Sequence, residues 1–213
     1  MVLRVVRALI PLVVVTLWGC SSGPSAPDDS SYLDTLAEAR AEKDRQFREL
    51  PDCDDADEPC SPVPPDKRGT LLPLRYYAPD PGYTAPAVLK LADDRPVFEV
   101  LTSTGVLRRM QLVGTLQFTF QGQPQSLGAF VEDGTEQIAN LFVPFADVTT
   151  GGETYSAGRY LDIRPTTTGY YTIDFNRAYN PYCAYNATYE CPFPPLSNRL
   201  KLPIRAGEKA PGA

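Results

Sequence analysis

The chain contains no histidine, and only two methionines and one tryptophan among its 213 residues. Without imidazole it lacks the side chain whose ordinary titration falls near neutrality, which is also the commonest metal ligand. Histidine-dependent nucleophilic triads, zinc-protease helices and histidine-rich metal centres are therefore excluded. No phosphate-cradling loop, dinucleotide fingerprint or haem-attachment motif is present either, so no metal and no cofactor is expected. Positive charge is in the minority: 20 Lys and Arg face 26 Asp and Glu, a net −6. That balance disfavours nucleic acid and anionic lipid headgroups as partners, because both require positive counter-charge.

Long apolar runs are also missing. The longest opens the chain, from Ala8 to Trp18, and is too short to span a bilayer comfortably. Arg4 and Arg7 precede it and Gly19-Cys20 close it, the layout of a secretory signal. Leu17-Trp18-Gly19-Cys20 resembles a bacterial lipobox, with Trp18 larger than the usual residue at its position. Residues 1–19 are expected to be a lipoprotein signal peptide, with Cys20 the lipidated residue. Acyl chains hold by burying methylenes at about 0.8 kcal/mol each. Residues 20–30, small, polar and rich in Pro and Gly, are suited to a flexible tether. The expectation is a cell-envelope protein, partnered with a membrane through its lipid and facing the periplasm or exterior. Removing Arg4 and Arg7 with the signal takes the charge from −6 to −8.

Five cysteines divide as one plus four. With Cys20 acylated, Cys53, Cys60, Cys183 and Cys191 remain in an oxidising compartment, an even set suited to disulfides. Three pairings exist. Cys53–Cys60 and Cys183–Cys191 are preferred because each closes a short local loop, and a four-thiolate zinc site needs tighter spacing within each pair.

Ser31 and Asp34 form a capping-box pattern ahead of a helix over 31–50. Leu33, Leu36, Ala37, Arg40, Phe47 and Leu50 fall near one stripe, and Arg40–Asp44 and Asp44–Arg48 are spaced to pair. Residues 51–70 read as an acidic, Pro-rich loop holding the first cysteine pair. Asp54, Asp55, Asp57 and Glu58 lack the glycine and carboxylate spacing of an EF-hand. From 71 to 213 the pattern becomes short alternating runs between turns. Strands are expected at 71–76, 87–91, 97–102, 107–112 with 114–120, 126–131, 139–143, 159–164 and 171–175. With no long helix between strands, a βαβ nucleotide fold is disfavoured. The architecture expected is a single, mainly antiparallel β domain, either a sandwich or a partly closed barrel, with a short N-terminal helix.

Arg159 to Asn176 reads as a hairpin turning near Thr167. Alternation gives a polar face of Tyr160, Asp162, Arg164, Tyr170, Thr172, Asp174 and Asn176. Leu161, Ile163, Tyr171, Ile173 and Phe175 form the packing face, with Arg159 at its end.

The segments Leu141-Phe142-Val143-Pro144-Phe145, Asp147-Val148-Thr149, Gly152-Glu153-Thr154-Tyr155 and Gly158-Arg159-Tyr160-Leu161-Asp162 lead into a peculiar C-terminal stretch. It runs from Asp174-Phe175-Asn176-Arg177-Ala178-Tyr179-Asn180-Pro181-Tyr182-Cys183 through Tyr189-Glu190-Cys191-Pro192-Phe193 and Asn198-Arg199-Leu200 to Ile204-Arg205-Ala206-Gly207-Glu208-Lys209. Together these segments resemble the bacterial family called domain of unknown function 1684. Arg40 to Phe47 carries a weaker echo of it. The resemblance implies a β-rich domain with a short N-terminal helix and brings no activity with it.

Tyrosines and asparagines crowd the same stretch. Phenol rings give a flat apolar surface with a hydroxyl, and Asn offers both donor and acceptor, which suits a glycan, a peptide or a small molecule. Candidate ligand-binding residues are Tyr160, Asp162, Asp174, Asn176, Tyr179, Asn180, Tyr182 and Arg199. Alternatively these groups simply lock an irregular tail onto the sheet, with Glu208 paired to an arginine. Without histidine, acid–base chemistry falls to carboxylates, and Glu153, Asp162, Asp174 and Glu208 are the candidates for a hydrolase acting on a cell-surface glycan or ester. The sequence thus supports a ligand-binding or structural envelope protein, with a carboxylate-based hydrolase as the alternative.

Overall fold

A computed structural model describes residues 29–53 and 60–212. The signal peptide, Cys20, most of the tether and the acidic cluster Asp54 to Glu58 lie outside the described residues. Helix α1 spans Asp29–Glu49 and a short α2 spans Pro65–Leu71. Seven strands follow: β1 Thr84–Leu91, β2 Val97–Leu101, β3 Leu107–Phe120, β4 Gln123–Glu132, β5 Leu141–Phe145, β6 Arg159–Ile163 and β7 Tyr170–Asp174. They form one curled antiparallel sheet, a half-barrel, in the order β6-β5-β4-β3-β1-β7, with β2 also paired to β3. Among the described residues no helix is long and apolar enough to cross a membrane.

The two strands expected at 107–112 and 114–120 are one continuous β3. Its first half pairs with β2 and its second with β1, while β4 runs along its other side. The junction is a bulge between Leu112 and Gly114. A Cβ at Gly114 would stand 2.4 Å from the Lys90 carbonyl oxygen, so only glycine lets β1 approach there.

Four expectations need correction, three in the backbone and its pairings and one among the cysteines. Residues 71–76 form no strand: Pro73 has no N–H for a ladder, and the Leu74 N–H donates to the Asp44 carboxylate at 2.7 Å instead. This also removes Asp44 from its expected pairing with Arg40, whose guanidinium donates to the Tyr77 and Asn176 carbonyls and lies over the Tyr76 ring. The 159–176 hairpin does not form either, since β6 pairs with β5 and β7 with β1, at opposite edges of the sheet. The alternation survives because it is a property of each strand alone. Leu161, Ile163, Tyr171, Ile173 and Phe175 are all buried in the core.

Curling the sheet leaves one side of the core open, and the chain after β7 closes it. Leu200, Leu202, Ile204 and Ala206 are buried in the core while Lys201 and Arg205 stay exposed, a period-two pattern in a segment without a strand partner. A buried ion pair holds this segment. Arg159, 1% exposed, donates to Asp147 at 2.9 Å and to the carbonyls of Ile204, Ala206 and Glu208.

The Cys53–Cys60 disulfide is present. The second expected pair is not: Cys183 and Cys191 are buried free thiols, with the Cys183 N–H donating to Cys191 Sγ at 3.1 Å. Backbone bonds tie this stretch to β2 and the turn that follows it instead. Ser103 N–H donates to the Cys191 carbonyl and Phe193 N–H to the Leu101 carbonyl, both at 2.9 Å.

Candidate functional site

The outward side chains of β6 face away from the core, yet they are not all in solvent. The segment from Tyr179 to Pro192 crosses the outer face of the sheet and leaves a concave pocket of about 670 Å³. Its floor is Met110 of β3, Phe142 of β5, and Tyr160 and Asp162 of β6. The facing wall is Tyr179, Pro181, Tyr182, Tyr189, Cys191 and Pro192, and Lys43 reaches in from α1.

The rings stand nearly perpendicular to their neighbours. Phe142 and Tyr160 are 4.7 Å apart at 76°, Tyr160 and Tyr179 5.8 Å at 90°, and Tyr182 and Tyr189 5.3 Å at 71°. Such edge-to-face pairs contribute about 0.5–1.5 kcal/mol each beyond their buried area. Tyr160 donates to the Pro192 carbonyl at 2.6 Å and Tyr179 to the Asp162 carboxylate at 2.7 Å. Burial pushes the phenols of Tyr160 and Tyr179 well up, and for Tyr179 the Asp162 charge adds to it. Burial and then Asp162 also raise Tyr182. These rings therefore remain neutral donors throughout the ordinary pH range. Tyr182, 43% exposed, presents its ring to the opening.

Of the eight candidate ligand residues, Tyr160, Asp162, Tyr179 and Tyr182 meet in this pocket. The other four do structural work elsewhere. Asn176, 1% exposed, clasps Asp80, accepting its N–H at 3.0 Å and donating to its carbonyl at 2.8 Å. Asp174 receives the Tyr32 hydroxyl and Arg177 Nε, and accepts the Asn176 N–H. Asn180 is 2% exposed and donates to the Lys209 carbonyl. Arg199 is exposed beside a separate groove with Lys201 and Gln125.

The four candidate catalytic carboxylates do not share a cleft. Asp162 alone lines the pocket. Glu153 is an exposed surface acid bound bidentate by Arg205 and by the Tyr77 hydroxyl. Glu208, 1% exposed, is fully engaged: Lys43 Nζ at 2.5 Å, the Asn180 N–H at 2.7 Å and the Tyr185 hydroxyl at 2.7 Å. Its ion-pair partner is thus a lysine of α1 rather than the expected arginine. Burial first, and then Glu208, pushes the Tyr185 phenol far up. The acid–base pair expected for glycoside-type hydrolysis is not assembled among these residues.

Sequence reasoning missed Lys43, Arg108, Phe142 and Tyr189. Phe142 and Tyr189 lie in segments that carry the family resemblance, and Lys43 lies in its weaker echo. Arg108 has no such signal; it enters because β3 is long enough to carry it across the sheet.

A curled antiparallel half-barrel with an aromatic pocket on its outer face is therefore the class of structure at hand. Residues 71–209 match the family described as a protein of unknown function, DUF1684, and the chain belongs to that family. It is similar to an uncharacterized protein of Haloarcula marismortui solved by NMR in solution, at 36% identity and a TM-score of 0.64, over 85% of this chain and 96% of that one. No curated protein matches it.

Proposed function

We propose that the protein is a ligand-binding module held at the cell envelope by lipid on Cys20, and that its site is the tyrosine-lined pocket. The observation that carries this reading is Tyr182, left 43% exposed at the mouth of the pocket while Tyr160 and Tyr179 beside it are fixed by hydrogen bonds. Tyr182 is itself held edge-to-face by Tyr189 and Phe47, so its open part, next to rings already ordered, is a preorganised surface that costs little further entropy when a ligand is bound. A volume near 670 Å³ suits a small molecule or the terminal group of a polymer.

The test is a titration of the isotope-labelled full chain with N-acetylglucosamine, with N-acetyl-dialanine amide and with choline, one probe for each ligand class. At least one is expected to move the resonances of Tyr160, Asp162, Tyr179 and Tyr182 together and saturably. If none perturbs these four more than it perturbs Glu153 and Arg205, the pocket is not the site. Anchoring is tested separately, by mass analysis of the amino-terminal peptide from membranes. A diacylglyceryl peptide beginning at Cys20 is expected, and an unmodified Met1 peptide overturns it.

A further inference from the structure

The charges lining the pocket do not cancel. Lys43 is already bound to Glu208 at 2.5 Å, behind the wall. Arg108 is shared between Glu132 at 3.4 Å and Glu190 at 3.9 Å, both at the rim. Counting Glu208, two cations therefore face four carboxylates. The remaining one is Asp162, which accepts only the neutral Tyr179 hydroxyl and forms no ion pair among the described residues. It sits where Tyr160, Tyr179 and Tyr182 converge. The face of an aromatic ring is the negative end of its quadrupole and attracts a cation within about 6 Å of its centroid. The Tyr179 ring already does so, with Lys43 Nζ 5.2 Å from its centroid.

We propose that the ligand group entering this pocket is a cation, an ammonium or quaternary ammonium, seated against Asp162 with the rings of Tyr179 and Tyr182 beside it. This rests on the pocket being the binding site. An anionic group would meet the uncompensated carboxylate, and a neutral one would displace water from the exposed Asp162 without supplying a counter-charge. The cation satisfies both the carboxylate and the ring faces.

The test compares choline with 3,3-dimethylbutan-1-ol, its uncharged isostere of matching shape, on the full chain, followed through the tyrosine side-chain resonances. Choline is expected to bind at least tenfold more tightly. In Asp162→Asn the preference should shrink to within about twofold. Asp162 is exposed, and an amide oxygen can still accept the Tyr179 hydroxyl, so the variant keeps its fold; an unchanged melting curve checks this. Equal or tighter binding of the alcohol, or a preference that persists in Asp162→Asn, overturns the assignment. Should N-acetylglucosamine or the blocked dipeptide bind while choline does not, the cation is wrong and the pocket stands. Failure of every probe removes both.

Discussion

Arg159 and Asp162 are three residues apart on β6 and live in opposite surroundings. Arg159 points inward, with its side chain and that of Asp147 each 1% exposed, and spends its guanidinium on one carboxylate and three carbonyls. Asp162 points outward and accepts a hydrogen bond from a single phenol, that of Tyr179. The first belongs to a buried network in which removing either charged partner leaves the other unpaired. The second belongs to a site that still has bonding capacity to offer. One five-residue strand thus supplies both the lock of the fold and the open half of a recognition surface, separated by nothing more than the two-residue period of a pleat.

Substitutions should grade along this contrast. Arg159→Met strips the partner from a fully buried Asp147 and leaves three carbonyls unsatisfied, so the loss should be about 3–5 kcal/mol in urea unfolding. A loss below about 1 kcal/mol would mean that the ion pair is not what closes the half-barrel. Glu208→Gln keeps the size and one acceptor but forfeits the charge-assisted bonds to Lys43 and the Asn180 N–H, and about 1.5–3 kcal/mol is expected from the same measurement. Tyr182→Ala and Asp162→Asn, at the open end of the contrast, should each change stability by less than about 1 kcal/mol while altering binding. Finding either as damaging as Glu208→Gln would erase the distinction between lock and site.

Alkali sharpens the same comparison. Tyr32 and Tyr77 are raised from an ordinary 10 to about 12, by burial first, then by Asp174 for Tyr32 and by the hydrogen bond to Glu153 for Tyr77. The folded state holds these protons more tightly than the unfolded chain does. Their stabilising effect is therefore complete below pH 10 and is lost as the pH rises through 12. Both are partly exposed, so each effect is small. Unfolding midpoints measured from pH 9 to 12.5 should stay level and then fall, in step with phenolate absorbance. A decline that begins below pH 9 would place its cause elsewhere.

How much of this the residues disclosed beforehand follows from how local each cause is. Strand alternation at Leu161, Ile163, Tyr171 and Ile173 is a two-residue property and was legible. Which strand β6 would pair with depends on sheet closure, and a short turn between two alternating runs mimicked a hairpin. The split at Val113 was visible as an interruption before Gly114, but its meaning required knowing that β1 and β2 share one long partner. In the site, the tyrosine cluster was legible as unusual composition. Asn176, Asn180 and Glu208 read the same way in sequence as Tyr179 and Tyr182, because buried structural polar groups and binding groups draw on the same chemistry. Several residues that carry the family resemblance, among them Asp147, Arg159, Asn198, Gly207 and Glu208, turn out to hold the chain after β7 in place. A Cβ at Gly207 would meet the Ala178 carbonyl oxygen at 2.5 Å, which shows how tightly that chain lies on its neighbours.

The Lys43–Glu208 contact joins positions 165 apart. Domains emerge during synthesis at about 5–20 residues per second, so α1 has to wait for roughly ten to thirty seconds before its acidic partner exists. Until then Leu36 and Phe47 have no finished surface to lie on. Among the described residues the helix is thus the first element made, and until its partner follows, its apolar stripe is open to any chaperone that escorts the chain.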